Sequence, residues 1–365
     1  MTMPPTCCAC GSHETAIVLD LGSVPAADTF PPVTRAPEGD PAADERHPLA
    51  MALCRSCGLA QIAHDDTAAE QPLGVEPRAL VEQAERAVAV AASRGWLPGA
   101  TVREFPSPHG GTWVPLVTGR GHVETSGRAS VVLDSFGVMH EPDQRAAWQA
   151  RAEATEPDGV LLVQFHSLAA IVRLEQWTSL RHGHAAYYSL TSLQRLLSDV
   201  DMSLAGVESF DLYGGTVLAA ARHGRHAAPS DVAAMLDDES RLGVTDPDVV
   251  SGLQDVVDRD VTGLRQWLAS RSEEGQRVMG YGAASVAVAQ LGLARVDSRL
   301  LEAVADASPG KQGRRMPGTD VPIISPDELV AASPDLVLLT LPDLLPELET
   351  SYPQLAGRWV VRGRS

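Results

Sequence analysis

The five cysteines of this 365-residue chain all lie within its first 57 residues, as Cys7, Cys8 and Cys10 and then Cys54 and Cys57. Cysteine pairs at short spacing form tight turns whose thiolates converge, and two such turns supply the four sulfurs that tetrahedral zinc prefers. The sequence therefore predicts a closed, structural zinc site made by Cys7, Cys10, Cys54 and Cys57. The alternative interpretation is a group of buried thiols that hold no metal.

The charge and hydropathy of the chain exclude two classes of partner. A formal net charge of −18 opposes nucleic-acid binding, which needs clustered Lys and Arg. No apolar run approaches the ~20 residues that cross a bilayer, and the N-terminus has no signal-like apolar core. We therefore expect a soluble, cytoplasmic protein that binds a small molecule, with no nucleic-acid and no membrane partner.

The region from residue 77 to residue 165 alternates between helical and strand patterns. Helices are predicted at 77–95 and 143–155, and strands at 101–105, 121–124, 130–133 and 159–165. This alternation is typical of a parallel α/β sheet. Only 24 residues separate Phe105 from Ser130, fewer than the ~30 of a full β-α-β unit. We expect a short helix interrupted by Pro115 and one strand there, with no room for a further helix and strand.

The second half of the chain predicts another, smaller α/β unit. Ser189 or Thr191 caps a helix, residues 207–221 form a strand, and residues 226–272 are largely helical. A strand-loop-helix unit follows at 277–294, and later strands are predicted within 300–307, 335–341 and 358–361. The predicted domains are therefore 1–75, 76–225 and 226–365, and we call the first of these the zinc module.

Several sequence motifs occur in the order found in one enzyme family. They are TCCACGS, LDLGSVPAADTF, LCRSCGLAQ, VMHEPD, EPDGVLLVQ, HGHAAYYSLTSLQRLL, YGGTVLAAAR, GYGAAS and SPGKQGRRMPGTDVPI. Over nearly its whole length the chain resembles the zinc-containing sugar C-methyltransferases of antibiotic deoxysugar pathways. These enzymes add a methyl group to carbon 3 of a nucleotide-linked 4-keto sugar.

The resemblance implies an α/β protein with three parts. They are the zinc module, a class I methyltransferase-like Rossmann domain that is truncated here, and a C-terminal Rossmann-like domain. The substrate, similar to a nucleotide sugar, would bind between the last two parts. The implied mechanism is removal of a proton beside the keto group, stabilisation of the enolate, and its attack on the methyl group of S-adenosylmethionine.

The cofactor loop departs from the family pattern. By the resemblance, Glu104, Gly110 and Glu124 are candidate cofactor-binding residues, with Glu124 at the position that holds the ribose. Pro106 stands where the first loop glycine belongs, and Pro108 replaces part of a polar pair. Because proline lacks a backbone donor and fixes φ near −65°, we expect S-adenosylmethionine binding to be weakened or lost.

The candidate catalytic residues lie in two segments. The resemblance places His184 as the general base, since an imidazole pKa near 6.5 suits proton abstraction at neutral pH, and His140 matches a second family histidine. Arg181 stands at the position of a family tyrosine and could stabilise an enolate, and Tyr188 completes the candidate set. The alternative is that His184 is only a polar loop histidine and Arg181 an exposed arginine.

The candidate substrate-binding residues lie in the C-terminal motifs. The resemblance points to Tyr213, Gly214 and Gly215 and to Tyr281 and Lys311, whereas the alternative for the Tyr281 region is a tight turn. A family lysine after the GYGA motif is absent. Gly280 and Gly282 alone do not indicate a dinucleotide site.

Three functions remain open from the sequence. The first is a C-methyltransferase with a shortened cofactor domain, and the second is an enzyme of the same fold that performs epimerisation or isomerisation without S-adenosylmethionine. The third is a non-catalytic scaffold that acts with a partner enzyme. We expect an enzyme of natural-product biosynthesis that acts on an enolisable keto substrate.

Overall fold

The computed structural model describes residues 4–33, 44–67, 78–108 and 111–362. The named strands within these ranges form three sheets. The first two lie in the N-terminal and central parts, and the third lies in the C-terminal part. The α/β fold class predicted from the sequence is confirmed.

The zinc module is built on an antiparallel sheet that the sequence patterns did not predict. Its strands are β1 (Thr15–Pro25), β2 (Arg46–Cys54) and β3 (Ala60–Ile62). β1 pairs with β2 so that Thr15 lies opposite Cys54. The strands β1 and β2, which lie between the two cysteine pairs, therefore return the second pair to the first.

The central part contains a six-stranded sheet flanked by helices. Its elements are α1 (Arg78–Ser93), β4 (Thr101–Phe105), α2 (Val114–Thr118), β5 (Val123–Glu124), β6 (Ala129–Ser135), α3 (Gln144–Ala154), β7 (Thr155–His166), α4 (Leu168–Arg173), β8 (Ala186–Tyr187), α5 (Leu190–Asp199), β9 (Met202–Phe210) and β10 (Thr216–His223). The strand order is β5-β4-β6-β7-β10-β9. β4, β5, β6 and β7 are parallel, and β10 is antiparallel to both of its neighbours.

Two predictions in this region need correction. Residues 207–221 are not one strand, because a 3₁₀ turn at Leu212–Gly214 separates β9 from β10. Pro115 does not interrupt a helix, since it lies in the first turn of α2, where a missing N–H costs nothing. The prediction that the sheet is shortened is confirmed, because only four residues connect β5 to β6 and no helix or strand fits there.

β8 lies in the central part of the sequence but pairs with a strand of the zinc module. Ala60 lies opposite Tyr187 and Gln61 opposite Ala186, in antiparallel register with β3. The zinc cysteines also lie in the same apolar cluster as Trp148 and Tyr188. The zinc module and the central sheet therefore share one hydrophobic core.

The C-terminal part is a parallel five-stranded sheet preceded by three helices. Its elements are α6 (Ser230–Leu242), α7 (Pro247–Val250), α8 (Leu253–Glu273), β11 (Val278–Tyr281), α9 (Ser285–Leu293), β12 (Val304–Ala305), β13 (Ile323–Ile324), α10 (Pro326–Ala332), β14 (Leu336–Leu339), α11 (Leu345–Ser351) and β15 (Trp359–Val360). The order is β13-β12-β11-β14-β15. Strand order reverses on either side of β11, which is where open α/β sheets form a binding crevice.

The zinc module also contacts the C-terminal part directly. Asp44 forms a bidentate ion pair with Arg315 at 2.6 and 2.5 Å and accepts a bond from Gly318 N at 2.7 Å. The Phe30 ring is buried in the C-terminal apolar cluster. Two motifs far apart in sequence, VPAADTF and SPGKQGRRMPGTDVPI, therefore pack on each other.

Candidate functional site

The four predicted zinc ligands converge. The ligand atoms of Cys7, Cys10, Cys54 and Cys57 all lie within 4.8 Å of one another. The sulfurs of Cys7 and Cys57 are 3.6 Å apart, as are those of Cys10 and Cys54. Zn–S bonds of ~2.3 Å in a tetrahedron place sulfurs ~3.8 Å apart, so these residues fit a zinc ion. Four sulfurs close the coordination sphere, which makes the site structural.

Cys8 has a different role from its neighbours. Its backbone N–H donates to Gln61 Oε1 at 2.8 Å, and its carbonyl accepts from Gln144 N at 3.2 Å. The Arg145 guanidinium also contacts the carbonyls of Ala9 and Cys10. The turn that carries the first cysteine pair is thereby held against the start of α3.

Two candidate catalytic histidines from separate segments meet in space. His140 ends a 3₁₀ turn after β6, and His184 lies just before β8. Their rings contact edge to face with centroids 4.6 Å apart. Arg181 donates from Nε to His184 Nε2 at 2.8 Å. The structure thus brings together three of the four predicted catalytic residues, and we call them the histidine cluster.

Hydrogen bonds fix the tautomers of both histidines. His140 Nδ1 lies 2.6 Å from the carbonyl oxygen of Gly183, and because a carbonyl only accepts, Nδ1 carries the hydrogen. The lone pair of neutral His140 is then on Nε2. Since a guanidinium only donates, His184 Nε2 is the acceptor of the Arg181 bond, and its lone pair is committed to Arg181.

Asp28 is a member of this site that the sequence reasoning missed. Burial lowers the pKa of His140 to about 4, as does the charge of Arg181, while the Gly183 carbonyl and the Asp28 carboxylate oppose that shift. Asp28 also accepts a short hydrogen bond from the hydroxyl of Ser285. Its position inside the VPAADTF motif was the only available signal. Asp28, a residue of the zinc module, therefore lies between the histidine cluster and the start of α9.

Tyr188 does not join the histidine cluster. Its side chain is buried between Trp148 and Phe165, and its hydroxyl donates to Gln144 within the core. The neighbouring Tyr187 faces the other way, and its hydroxyl accepts from the backbone N–H of Arg181 at 3.1 Å. Because side chains alternate along an extended segment, a one-residue difference places Tyr188 in the apolar cluster of Trp148 and Tyr187 in the cluster formed with β1 and β2.

The candidate cofactor residue Glu104 is engaged by its own loop. One carboxylate oxygen accepts a short bond from the Thr112 hydroxyl, and the other accepts from Trp113 N at 2.8 Å. Burial raises the pKa of Glu104, and these two bonds oppose the shift. The carbonyl of Pro106 lies 2.9 Å from the place a Cβ on Gly137 would take. The loops after β4 and β6 are therefore in close contact.

The space beside Glu104 is small. A cavity of about 140 Å³, lined by residues that include Phe105, Trp113 and Phe136, lies at the ends of β4 and β6, whereas sites for drug-sized ligands measure ~300–1,000 Å³. Glu124 is exposed on the edge strand β5, and Gly110 lies outside the described residues. The described residues therefore do not fit S-adenosylmethionine.

The segment Tyr213–Gly215 is a strained turn at one end of the central sheet. Tyr213 has a φ of 55° and its ring lies 6.2 Å from that of Phe136, whose φ is 59°. A Cβ on Gly214 would lie 2.2 Å from the side-chain amide of Gln176. Tyr213 N also donates to Asp343 at 2.8 Å. The turn thus connects the central sheet to the C-terminal part.

Tyr281 and Lys311 lie in different surroundings. The ring of Tyr281 is buried against those of Tyr352 and Trp359. Lys311 Nζ donates to the Ala283 carbonyl at 2.8 Å, lies 3.9 Å from Asp306, and sits over the Phe30 ring. Lys311 is therefore beside the Gly282–Ser285 loop and the Asp28 segment, and Tyr281 is part of the C-terminal core.

Comparisons with known proteins match both ends of the chain. Residues 7–70 match a family model described as "Putative zinc binding domain", and residues 211–361 match one described as "C-methyltransferase C-terminal domain". These two regions are therefore similar to the zinc-binding and C-terminal domains of C-methyltransferases. C-methyltransferase NovU from Streptomyces niveus is 25% identical to it over 97% of this chain and 94% of that protein.

Solved structures give a weaker likeness that is confined to part of the chain. Magnesium protoporphyrin IX methyltransferase from Synechocystis PCC 6803, with bound SAH, is 14% identical and has a TM-score of 0.28 over 40% of this chain and 84% of that one. The CcbJ methyltransferase from Streptomyces caelestis is 12% identical with a TM-score of 0.31, over 42% of this chain and all of that one. At such scores these likenesses support no inference about function.

None of the described helices is both long and apolar enough to cross a bilayer.

Proposed function

We propose that this protein catalyses proton transfer at the carbon beside the carbonyl of a small keto substrate, without transferring a methyl group. The observation that carries the proposal is the contrast between two sites. The histidine cluster holds two neutral imidazoles and a guanidinium in contact, whereas Glu104, at the expected cofactor site, is bonded to its own loop. Enolisation needs the first site only.

His140 is the proposed base in place of His184. The Nε2 lone pair of His140 takes the proton from the carbon, and the bonding electrons move onto the carbonyl oxygen to give an enolate. Arg181 stabilises that negative charge, since guanidinium is always protonated. Delivery of a proton from solvent to the other face of the same carbon, with release of the abstracted proton from His140 to solvent, gives an epimer. Return of the proton to the former carbonyl carbon, with transfer of the adjacent hydroxyl proton to the enolate oxygen, gives an isomer. His184 holds Arg181 in place.

The proposed substrate is a keto sugar, in a form similar to a nucleotide sugar. Asp28 and Ser285, which are hydrogen-bonded to each other, are groups that bind sugar hydroxyls, and they lie where the zinc module meets α9. Lys311 contacts the Gly282–Ser285 loop through the Ala283 carbonyl and is the proposed partner for an anionic group. The similarity to NovU along most of both chains supports a substrate of the same general kind.

Solvent-deuterium exchange tests this function directly. The protein is incubated in D₂O with a thymidine-diphosphate 4-keto-6-deoxy sugar, and loss of the proton signal beside the ketone is followed by NMR. We expect exchange above the buffer rate without S-adenosylmethionine, and loss of that exchange in His140→Gln. Absence of exchange with this sugar and with its free keto-sugar counterpart would contradict the proposal.

Methyl transfer is the second candidate, and the family match over residues 211–361 favours it. Isothermal titration with S-adenosylmethionine and S-adenosylhomocysteine separates the two candidates. We expect no binding heat at tens of micromolar ligand. Micromolar binding, together with a methylated sugar in the product mixture, would establish methyl transfer and overturn the first proposal.

A further inference from the structure

The segment Arg181–His184 is held by the zinc module as well as by its own domain. His182 Nε2 bonds to the Pro48 carbonyl at 3.3 Å, and Gly183 N donates to Asp65 Oδ2 at 2.6 Å. Just after the segment, Ile62 N donates to the Ala185 carbonyl at 3.1 Å. Pro48, Ile62 and Asp65 all belong to the zinc module, so its strands β2 and β3 support the loop from one side.

Asp65 is oriented for this contact by its own turn. Its Oδ1 accepts from Thr67 N at 3.0 Å and from Thr67 Oγ1 at 2.7 Å. The other oxygen, Oδ2, is thereby directed at Gly183 N. A short bond to a charged acceptor is stronger than one between neutral groups. The carboxylate therefore anchors the Gly183 peptide on its N–H side.

Gly183 links the Asp65 carboxylate to His140, the proposed base. It has a φ of +83°, a left-handed conformation that glycine adopts without strain, and its carbonyl accepts from His140 Nδ1 at 2.6 Å. Asp65 thus holds the N–H of Gly183, and the carbonyl of Gly183 holds the hydrogen of His140 on Nδ1. One glycine connects the zinc module to the proposed base.

We propose that Asp65 is a positioning residue that fixes Gly183 and thereby keeps the lone pair of His140 on Nε2. The inference deepens the proposed function, because it assigns the tautomer that the proposed base needs. Asp65 does not touch the reacting atoms. Without its carboxylate the loop loses its anchor, the Gly183 carbonyl moves, and both tautomers of His140 become populated.

The test compares Asp65→Ala with Asp66→Ala. Asp66 is the adjacent carboxylate, bonds to His47 rather than to Gly183, and is the matched control. Protein labelled with ¹⁵N and ¹³C at histidine reports the tautomer through the ring nitrogen shifts, and the His140 signals are assigned by their absence in His140→Gln. Zinc content and thermal unfolding of each variant establish that the fold is intact.

We expect wild type and Asp66→Ala to show a single Nδ1–H tautomer of His140, and Asp65→Ala to show a mixture with zinc retained. An unchanged tautomer in folded Asp65→Ala would overturn the inference. If Asp65→Ala does not fold, Thr67→Val, which removes only one of the bonds that orient Asp65, replaces it. That variant should shift the tautomer in the same direction and to a smaller extent.

Exchange kinetics give a second measure that is independent of the spectra. We expect Asp65→Ala to lower the maximal exchange rate about 10- to 100-fold with little change in KM, as misplacement of a catalytic group does. A tautomer change in a protein that shows no exchange at all would retain the positioning role and refute the proposed function. Slower exchange with an unchanged tautomer would refute the positioning role alone.

Discussion

Arg181 and His184 form one hydrogen-bonded unit, because the guanidinium Nε donates to the imidazole Nε2 at 2.8 Å. The bond fixes a neutral His184 and places a permanent positive charge beside His140, whose pKa that charge helps to lower. A neutral base next to a fixed cation is the arrangement that removes a proton and stabilises the resulting enolate. His184 holds Arg181 and is not the base, because its Nε2 accepts the hydrogen bond that the guanidinium donates.

Replacing Arg181 with lysine tests the role of the guanidinium. Arg181→Lys keeps the charge but loses the planar Nε donor that contacts His184, so we expect exchange to fall about 10- to 100-fold. Exchange measured by NMR at saturating substrate is the assay. Arg195→Lys, at an exposed arginine paired with Asp199 on α5, should leave the rate unchanged, and an equal loss in both variants would argue against a specific role.

The depressed pKa of His140 predicts a dependence of stability on pH. The folded protein binds this proton only near pH 4, whereas the unfolded chain binds it near the ordinary value of 6.5. Between these values the unfolded state holds more protons, so the free energy of unfolding falls as pH drops from 6.5 to 4, by at most about 3 kcal/mol.

Urea titrations at pH 7, 5.5 and 4.5 on wild type and His140→Gln measure this contribution. The variant lacks the titrating group, so its free energy of unfolding should fall less steeply with acid. Parallel curves for the two proteins would mean that the pKa of His140 is not depressed in the folded state.

Zinc removal should destabilise more than the zinc module. The cysteines share an apolar cluster with Trp148 and Tyr188, so we expect Cys54→Ser to lose zinc and roughly 3 kcal/mol or more of stability, about 10 °C in Tm. Metal content by mass spectrometry and scanning calorimetry provide the readouts. Cys8→Ser should retain one zinc per chain, and a zinc-free Cys8→Ser protein would overturn the assignment of ligands.

The ion pair between Asp44 and Arg315 should contribute more to the free energy of unfolding than ion pairs on the surface do. Both side chains are nearly buried, so Asp44→Ala leaves an unpaired buried charge, and we expect a loss of about 3–5 kcal/mol. The exposed pair of Glu175 with Arg259 supplies the control, since Glu175→Ala should cost under about 1 kcal/mol. Chemical denaturation of both variants measures the two losses of stability. Equal losses would show that burial of the ion pair is unimportant here.

Some features followed from sequence because short-range chemistry determines them. The cysteine spacing predicted a ligand set that the structure brings together, and the short interval before Ser130 predicted the missing helix and strand. The Ser189 cap and the buried leucines of α5 also follow from local pattern. The strands of the zinc module escaped prediction because their residues lack a clear alternation of apolar and polar side chains.

Other features depend on contacts between distant segments. Apart from the motif that contains Asp28, nothing in the local pattern near Asp28 or Asp65 distinguishes them from other acidic residues. They acquire roles only where the segments after β1 and β3 meet the segment before β8. Tyr188 and Tyr187 are adjacent and chemically identical, and only the pairing of β8 with β3 decides which one packs beside Trp148 and which one packs against the strands of the zinc module.

The sequence by itself determined the zinc ligands, the α/β class and the truncation of the central sheet, because each depends on residue type and chain length along a continuous segment. Tertiary structure alone decided which histidine keeps its lone pair on Nε2 and which one holds Arg181. It also determined that the Glu104 carboxylate accepts hydrogen bonds from Thr112 and Trp113 of its own loop. Tautomer and hydrogen-bond choice depend on the direction of a neighbouring donor or acceptor, and that direction exists only once the segments are packed together.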